Sequence, residues 1–341
     1  VVKSLNKNPM TALEQSARGH IYASSGASEA DGTQKPVATL AIQVYGLMRS
    51  GNHAIIDWIK NQYPGQSICF LNNIALGPSD PYQDYVQIEL TNIPSDLGVE
   101  SLRRHPKDVL IYSYEDRSSL ETGNGSLLQT LFDPTNQTIV KRNLLSYQHH
   151  FTTGILRDPY NCLASRIALI RKRGALGGTT DLQLIKENWK QIARKALSLE
   201  AQPKDNEQVI LYNKWVESNS YRREISRKLL GTYQDNSLAT ISGYGGGSSF
   251  QVKKRFSFRT ALSKVSKKWK KALHPATLAS LPNHINSLMV PHLDTAQLSS
   301  RWEALATDEE YRDLFRDTEL VGLSRDLFGV LKNEQAFLDS L

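Results

Sequence analysis

Two cysteines, Cys69 and Cys162, are all that the 341 residues contain. Two thiols make no disulfide framework, and such a chain suits a reducing compartment. No apolar run approaches the 18 residues of a spanning helix, and the N-terminus has no apolar core of a secretory signal. These absences argue against a membrane-anchored secretory enzyme and for a cytoplasmic protein. No Cys/His group has zinc spacing, and no stretch repeats another. Acidic residues are missing from Lys253 to Lys271, which carries nine Lys/Arg; these exceed the whole net charge of +7, so the rest of the chain is slightly acidic. Val265, Trp269 and Leu273 form one apolar stripe there. A membrane surface, a nucleic acid or the domain's own surface could receive it; the domain surface is preferred and no nucleic-acid partner is expected. With 40% hydrophobic residues the chain can bury a core for one large α/β domain or two small ones.

The chain is organised around Val44 to Trp58, V-Y-G-L-M-R-S-G-N-H-A-I-I-D-W. Before it, Val37 to Tyr45 is β-branched and free of Gly and Pro, as a buried strand would be. After it, Ile55, Trp58 and Ile59 fall on one face of a helix. Gly46 and Gly51 lie between strand and helix with four residues between them, the G-x-x-x-x-G half of a phosphate-binding loop. Glycines let backbone wrap an anion, and a helix N-terminus offers N–H groups and a positive dipole end. A plain strand–turn–helix also accepts two glycines. The Lys-Ser/Thr that follows the second glycine in nucleotide kinases is absent, and Asn52 and His53 stand there. The loop's only cation is Arg49.

Residues 1–36 are polar and aperiodic and read as a flexible tail. Ser67 to Leu71 predicts a second strand ending at Asn72-Asn73, and 77–101 is turn-rich. Val109 to Tyr114 predicts a third strand that stops at Glu115-Asp116-Arg117, and strand ends of open α/β sheets are where ligands sit. Thr152 to Leu156 predicts a fourth, running into Arg157-Asp158-Pro159, with Pro159 opening a helix whose Leu163, Ile167 and Ile170 face the core. Arg157 and Ser165 are eight residues apart and both can point toward the crevice where the first loop ends. Residues 181–199 predict a helix, Val209 to Tyr212 a buried strand, and Tyr221 to Leu230 a basic helix. Ser242 to Phe250 holds Gly245-Gly246-Gly247 followed by Ser248 and Ser249, open backbone suited to an anion or to a linker. The region from Trp302 to Phe328 reads as helical and structural.

Together these pieces resemble the sulfotransferases that use 3′-phosphoadenosine 5′-phosphosulfate (PAPS). The resemblance covers most of residues 37–250. The family's 5′-phosphosulfate loop, of the type P-K-S-G-T-T, corresponds to Met48-Arg49-Ser50-Gly51-Asn52-His53. Its 3′-phosphate motif, an Arg-x-Pro turn with a Ser eight positions after the Arg, is matched by Arg157, Pro159 and Ser165. A Tyr at a later strand end, near the adenine, and a polar helix ending R-E-I are similar to Ile210-Leu211-Tyr212 and Arg223-Glu224-Ile225. Gly245 to Ser249 corresponds to a late glycine loop over the 3′-phosphate. The R-S-G-N-H-A-I-I wording with a later Y-E-D-R looks like a bacterial branch.

The resemblance implies an α/β, P-loop-like three-layer fold, with a central, mostly parallel sheet flanked by helices in a single domain over 37–341. It implies PAPS as co-substrate, 3′-phosphoadenosine 5′-phosphate (PAP) as product, a small-molecule or carbohydrate acceptor, and no metal. Arg49 with Ser50, Gly51, Asn52 and His53 would hold the 5′-phosphate. Arg157, Ser165 and the Gly245–Ser249 loop would hold the 3′-phosphate. Three departures stand out. Arg49 replaces the loop lysine, and Ala54 stands where many members stack a Trp on adenine, leaving Tyr212 or Phe250 to serve. Glu115 stands about where many cytosolic members have a catalytic His; Asp116 and His53 are its rivals as base, while His149 and His150 read as structural. A P-loop nucleotide kinase and a non-catalytic nucleotide- or nucleic-acid-binding protein are the competing classes.

Overall fold

The computed structural model describes residues 37–116, 126–173, 181–235 and 301–341. The tail over 1–36, the loop Gly245–Ser249 and the basic stretch 253–271 lie outside the described residues.

Nine residues of mixed β-branched and aliphatic character form β1 (Ala38–Gly46), buried on both faces as a central parallel strand must be. A tight turn leads to α1 (Asn52–Lys60), whose Ile55, Trp58 and Ile59 are fully buried as their spacing predicts. The chain continues through β2 (Ile68–Ile74), β3 (Tyr85–Thr91), α2 (Val99–Arg104) and β4 (Lys107–Glu115). Next come α3 (Leu127–Leu131), α4 (Pro134–Leu144), β5 (Tyr147–Leu156) and α5 (Pro159–Arg173). Then follow α6 (Leu182–Ala201), β6 (Glu207–Leu211), α7 (Tyr212–Glu217) and α8 (Asn219–Lys228). A 3₁₀ turn (Arg301–Leu305) precedes α9 (Glu309–Phe315), α10 (Thr318–Phe328) and α11 (Glu334–Asp339).

The six strands make one sheet in the order β3-β2-β4-β1-β5-β6. Only the β2–β3 pair is antiparallel. The fold is therefore α/β with a mostly parallel sheet flanked by helices, as expected. Alternation along β1 and β4 divides the core: Ile42, Val44, Val109 and Ile111 pack toward α1, α7 and α8. Tyr45, Leu110, Tyr112 and Tyr114 face the larger layer of α3 to α6 and the C-terminal helices. Tyr160 of α5 stacks on Phe315 of α9 at 4.3 Å between ring centroids, tying the C-terminal helices to the sheet layer.

Several element boundaries differ from the sequence expectation, each for a physical reason. β2 runs through Asn72-Asn73 because the Asn73 N–H, at φ 52°, finds the Ser113 hydroxyl of β4. The turn-rich 77–101 contains β3 and α2; β3 is an edge strand paired only with β2, and its Val86, Ile88 and Leu90 alternate with polar residues between turn-rich flanks. β4 includes Glu115, because the ladder with β1 extends to the pair Gly46 and Glu115. β5 begins five residues earlier than the expected Thr152, at Tyr147, which places His149 and His150 inside the strand. Tyr212 opens a helix and does not end the strand.

Candidate functional site

Register brings the carboxyl ends of the parallel strands to one level. Gly46 of β1 pairs with Glu115 of β4 on one side and Ile155 of β5 on the other, and Leu156 pairs with Leu211 of β6. The segments leaving those ends are the Leu47–Gly51 turn, Asp116, Arg157-Asp158 and Tyr212. In an open parallel sheet this edge is the ligand crevice.

The turn is shaped by its own backbone and by its neighbours. The Ser50 N–H bonds to the Leu47 carbonyl at 3.1 Å. Arg49 holds φ 78°, and Gly51 takes φ 93° as it leads into α1. No side chain caps α1, and its first turn carries no acid of its own to offset the positive dipole end. Two close approaches explain the glycines. A Cβ on Gly46 would lie 2.5 Å from the Asn52 Oδ1, and a Cβ on Gly51 would lie 2.3 Å from the Tyr212 ring.

The turn reaches toward α5 through Arg49, whose Nε donates to the Ser165 Oγ at 3.0 Å. The buried Ser50 hydroxyl lies 3.6 Å from the Cys162 Sγ. Arg157 sits at the β5–α5 junction with its guanidinium 5.3 Å from the centre of the Tyr212 ring. Its backbone is fixed by the Trp189 indole, which donates to the Arg157 carbonyl at 2.8 Å. Asp158 caps α5 by accepting the Asn161 N–H at 2.8 Å, and its other oxygen accepts from the Asn213 amide at 3.0 Å. That second bond links the start of α7, and with it Tyr212, to the Arg157 turn.

The two carboxylates after β4 have different surroundings. Glu115 is partly exposed. Its Oε1 accepts from the Asn52 Nδ2 at 2.8 Å, while the same amide donates to the Leu47 carbonyl at 3.1 Å. Burial pushes the Glu115 pKa up; the Asn52 hydrogen bond and the nearby His53 and Arg166 oppose this, and Asp116 adds to it. Asp116 is 0% exposed and accepts the Met48 N–H at 2.8 Å. Its other oxygen meets the Arg166 Nη2 at 3.1 Å. Burial raises its pKa, against the pull of Arg166 and of the Met48 N–H.

The residues singled out in sequence thus converge. Arg49 touches Ser165, Gly51 packs on Tyr212, Tyr212 faces Arg157, and Asn52 bonds Glu115, with His53 near enough to act on that carboxylate electrostatically. Gly245, Gly246, Gly247, Ser248 and Ser249 are outside the described residues. His149 and His150 belong to β5, and His150 Nε2 lies 2.7 Å from the Tyr112 hydroxyl on the core layer of α3 and α4. Sequence reasoning missed the Asp116–Arg166 pair and the Asp158–Asn213 link. An Arg directly after the matched Ser165 was the one visible signal for the first; nothing in sequence announced the second. Among the described residues no group of His, Cys, Asp and Glu is arranged to hold a metal ion. No helix among them is long and apolar enough to cross a membrane.

No family model matches the chain, and no curated protein matches it. Solved structures similar to it include a mouse sulfotransferase complexed with PAP, at 15% identity and a TM-score of 0.33, covering 58% of this chain. The chain spans 60% of the mouse protein's own length. The sulfotransferase domain of a Synechococcus olefin synthase is 12% identical with a TM-score of 0.42, over 89% of this chain and 100% of that domain. The sulfotransferase domain of the curacin biosynthetic pathway is 12% identical with a TM-score of 0.30, over 62% of this chain and 79% of that one.

Proposed function

We infer that this protein is a sulfotransferase, moving the sulfuryl group of PAPS to a hydroxyl or amine of a small-molecule or carbohydrate acceptor and releasing PAP. One observation carries the reading. An uncapped helix start with a cationic turn is joined directly to a second cationic turn, through Arg49 to Ser165 and through Gly51 and Tyr212 to Arg157. Two anion-binding turns held side by side suit a nucleotide phosphorylated at both ends of its ribose.

In this reading Arg49 and the N–H groups at the start of α1 take the 5′-phosphosulfate. Arg adds a planar fork to the charge that a lysine would supply. Arg157 and Ser165 take the 3′-phosphate, and Tyr212 offers the aromatic surface beside them. The acceptor's lone pair forms a bond to sulfur while the bond from sulfur to the 5′-phosphate oxygen breaks. That electron pair leaves with PAP, where Arg49 and the helix N-terminus neutralise the gathered charge. The acceptor proton passes to Glu115, whose raised pKa makes it a stronger base than a solvated carboxylate. The chemistry asks for positioning and charge stabilisation and assigns no step to a metal. Both cysteines are free and buried, which suits a reducing, cytoplasmic setting.

The test is thermal unfolding with PAP in the presence of a chelator. PAP at 100 times its Kd is expected to stabilise the fold by about 2.7 kcal/mol, and adenosine 5′-phosphate at the same concentration by much less. Stabilisation by ATP with magnesium and none by PAP would favour a kinase and overturn the reading.

A further inference from the structure

The buried pair of Asp116 and Arg166 lies one layer beneath the proposed nucleotide site. Both side chains are removed from solvent, at 0% and 1% exposure. Asp116 uses its two oxygens in two directions. Oδ1 accepts the backbone N–H of Met48 at 2.8 Å, and Oδ2 faces the Arg166 guanidinium at 3.1 Å. Arg166 follows Ser165 on α5, and Ser165 accepts from the Arg49 side chain at 3.0 Å. The cationic turn is therefore tied to α5 twice. One tie is the Arg49–Ser165 hydrogen bond, made by groups that a bound phosphate would compete for. The other runs from Met48 through Asp116 to Arg166 and is out of a ligand's reach.

The turn has a reason to need the second tie. Arg49 is not a glycine, yet it holds φ 78°. Such a conformation persists only where its surroundings over-determine it. The Met48 N–H belongs to the Leu47–Met48 peptide, one residue ahead of the Arg49 linkage, and a charged acceptor on it fixes the plane from which the turn departs. We propose that Asp116, braced by Arg166, is the positioning residue that holds the Arg49 turn in its anion-binding shape and in register with the Arg157 side of the site. It is not a base, since its carboxylate is enclosed and directed into the fold. The proposal deepens the sulfotransferase reading and rests on it for the identity of the anion.

The experiment compares wild type with Asp116→Asn and with Asp116→Asn/Arg166→Gln. The double variant removes both charges, and so measures the effect even if an uncompensated Arg166 unfolds the single one. Amide hydrogen exchange in the ligand-free protein is followed for Met48 to Asn52 and for the centres of β4 and α5. Binding of PAP and of adenosine 3′-phosphate is measured alongside. Loss of a charged acceptor is expected to speed exchange in the turn about tenfold or more, with smaller changes in β4 and α5. PAP affinity is expected to fall about tenfold and adenosine 3′-phosphate affinity to hold. Unchanged exchange in the turn, a uniform rise across β1, β4 and α5, or full recovery in the double variant would overturn the proposal; the last would mean that Asp116 only neutralises Arg166. If wild type binds no PAP, the sulfotransferase reading fails, while the exchange result still decides whether Asp116 holds the turn.

Discussion

Glu115 and Asp116 are adjacent in sequence and opposite in surroundings. The strand alternation that sends Tyr112 and Tyr114 to one face of the sheet sends Glu115 to the other, where Asn52 receives it. Asp116 stands just past the ladder, turned into the fold beneath the Met48 peptide. Glu115→Gln keeps the shape and can still accept from Asn52, so PAP affinity should hardly move while turnover falls by roughly 10²–10⁴. In the wild type the rate should drop on acidification, beginning above the ordinary glutamate range because burial raises the Glu115 pKa. Steady-state kinetics across pH, with PAP binding measured on the same samples, checks both. Near-normal turnover in Glu115→Gln would move the base elsewhere, with His53 the next candidate. The sequence exposed both carboxylates and could rank them only by order after the strand. Alternation fixes directions within a strand and says nothing about the first residue beyond it, so the enclosure of Asp116 was not legible.

At the scale of elements, the β1–turn–α1 unit was legible almost to the residue. Two glycines at fixed spacing between a β-branched run and a helical face define it, and both sides proved buried. What presses on Gly51 was not legible, since Tyr212 lies 161 positions from it in the chain. Gly51 meets two demands: a φ of 93° and a ring in van der Waals contact. Gly51→Ala should therefore lose stability by two separable amounts. The left-handed conformation costs about 1–2 kcal/mol, and displacement of the ring adds to it. In a Tyr212→Ala background the same substitution should cost only the first amount, and a double-mutant cycle by denaturant unfolding isolates the coupling. A cost equal in both backgrounds would show that the ring yields freely. The unexpected strand β3 and helix α2, and the early start of β5, share a different cause. Turn-rich flanks hide the short alternation of β3, half-burial blurs the start of β5, and tertiary pairing sets those boundaries.

The whole molecule places its chemistry at one edge of the sheet and its titratable strain partly elsewhere. On the layer under α3 and α4, about three strand residues below the crevice, Gln43, Tyr112, His150 and Thr152 line a cavity of about 180 Å³. His150 faces the Tyr112 hydroxyl at 2.7 Å and the Tyr147 ring at 5.2 Å between ring centres, with the Lys141 ammonium on the same side. Burial first, and Lys141 second, push its pKa down to about 4 from the usual 6.5. The folded state thus keeps this imidazole neutral where the unfolded chain would protonate it. Between pH 6.5 and 4 the unfolded state binds more protons, so His150 contributes stability that is complete above the unfolded value and is lost as pH falls toward the folded one. Because the ring is partly exposed, the loss should stay below about 1.4 kcal/mol per pH unit. Glu115 and Asp116 have raised pKa values and act with the opposite sign, favouring the fold as the medium becomes acid. The wild-type profile is therefore a sum, and the His150 part is read by difference against His150→Gln, which can still meet Tyr112 but does not titrate. Urea unfolding of both proteins at intervals from pH 7.5 to 4 should show the stability gap narrowing as pH falls, with most of the change between 6.5 and 4. A gap that stays constant would mean that His150 titrates alike in the folded and unfolded chains, and that the cavity layer carries no proton-linked cost.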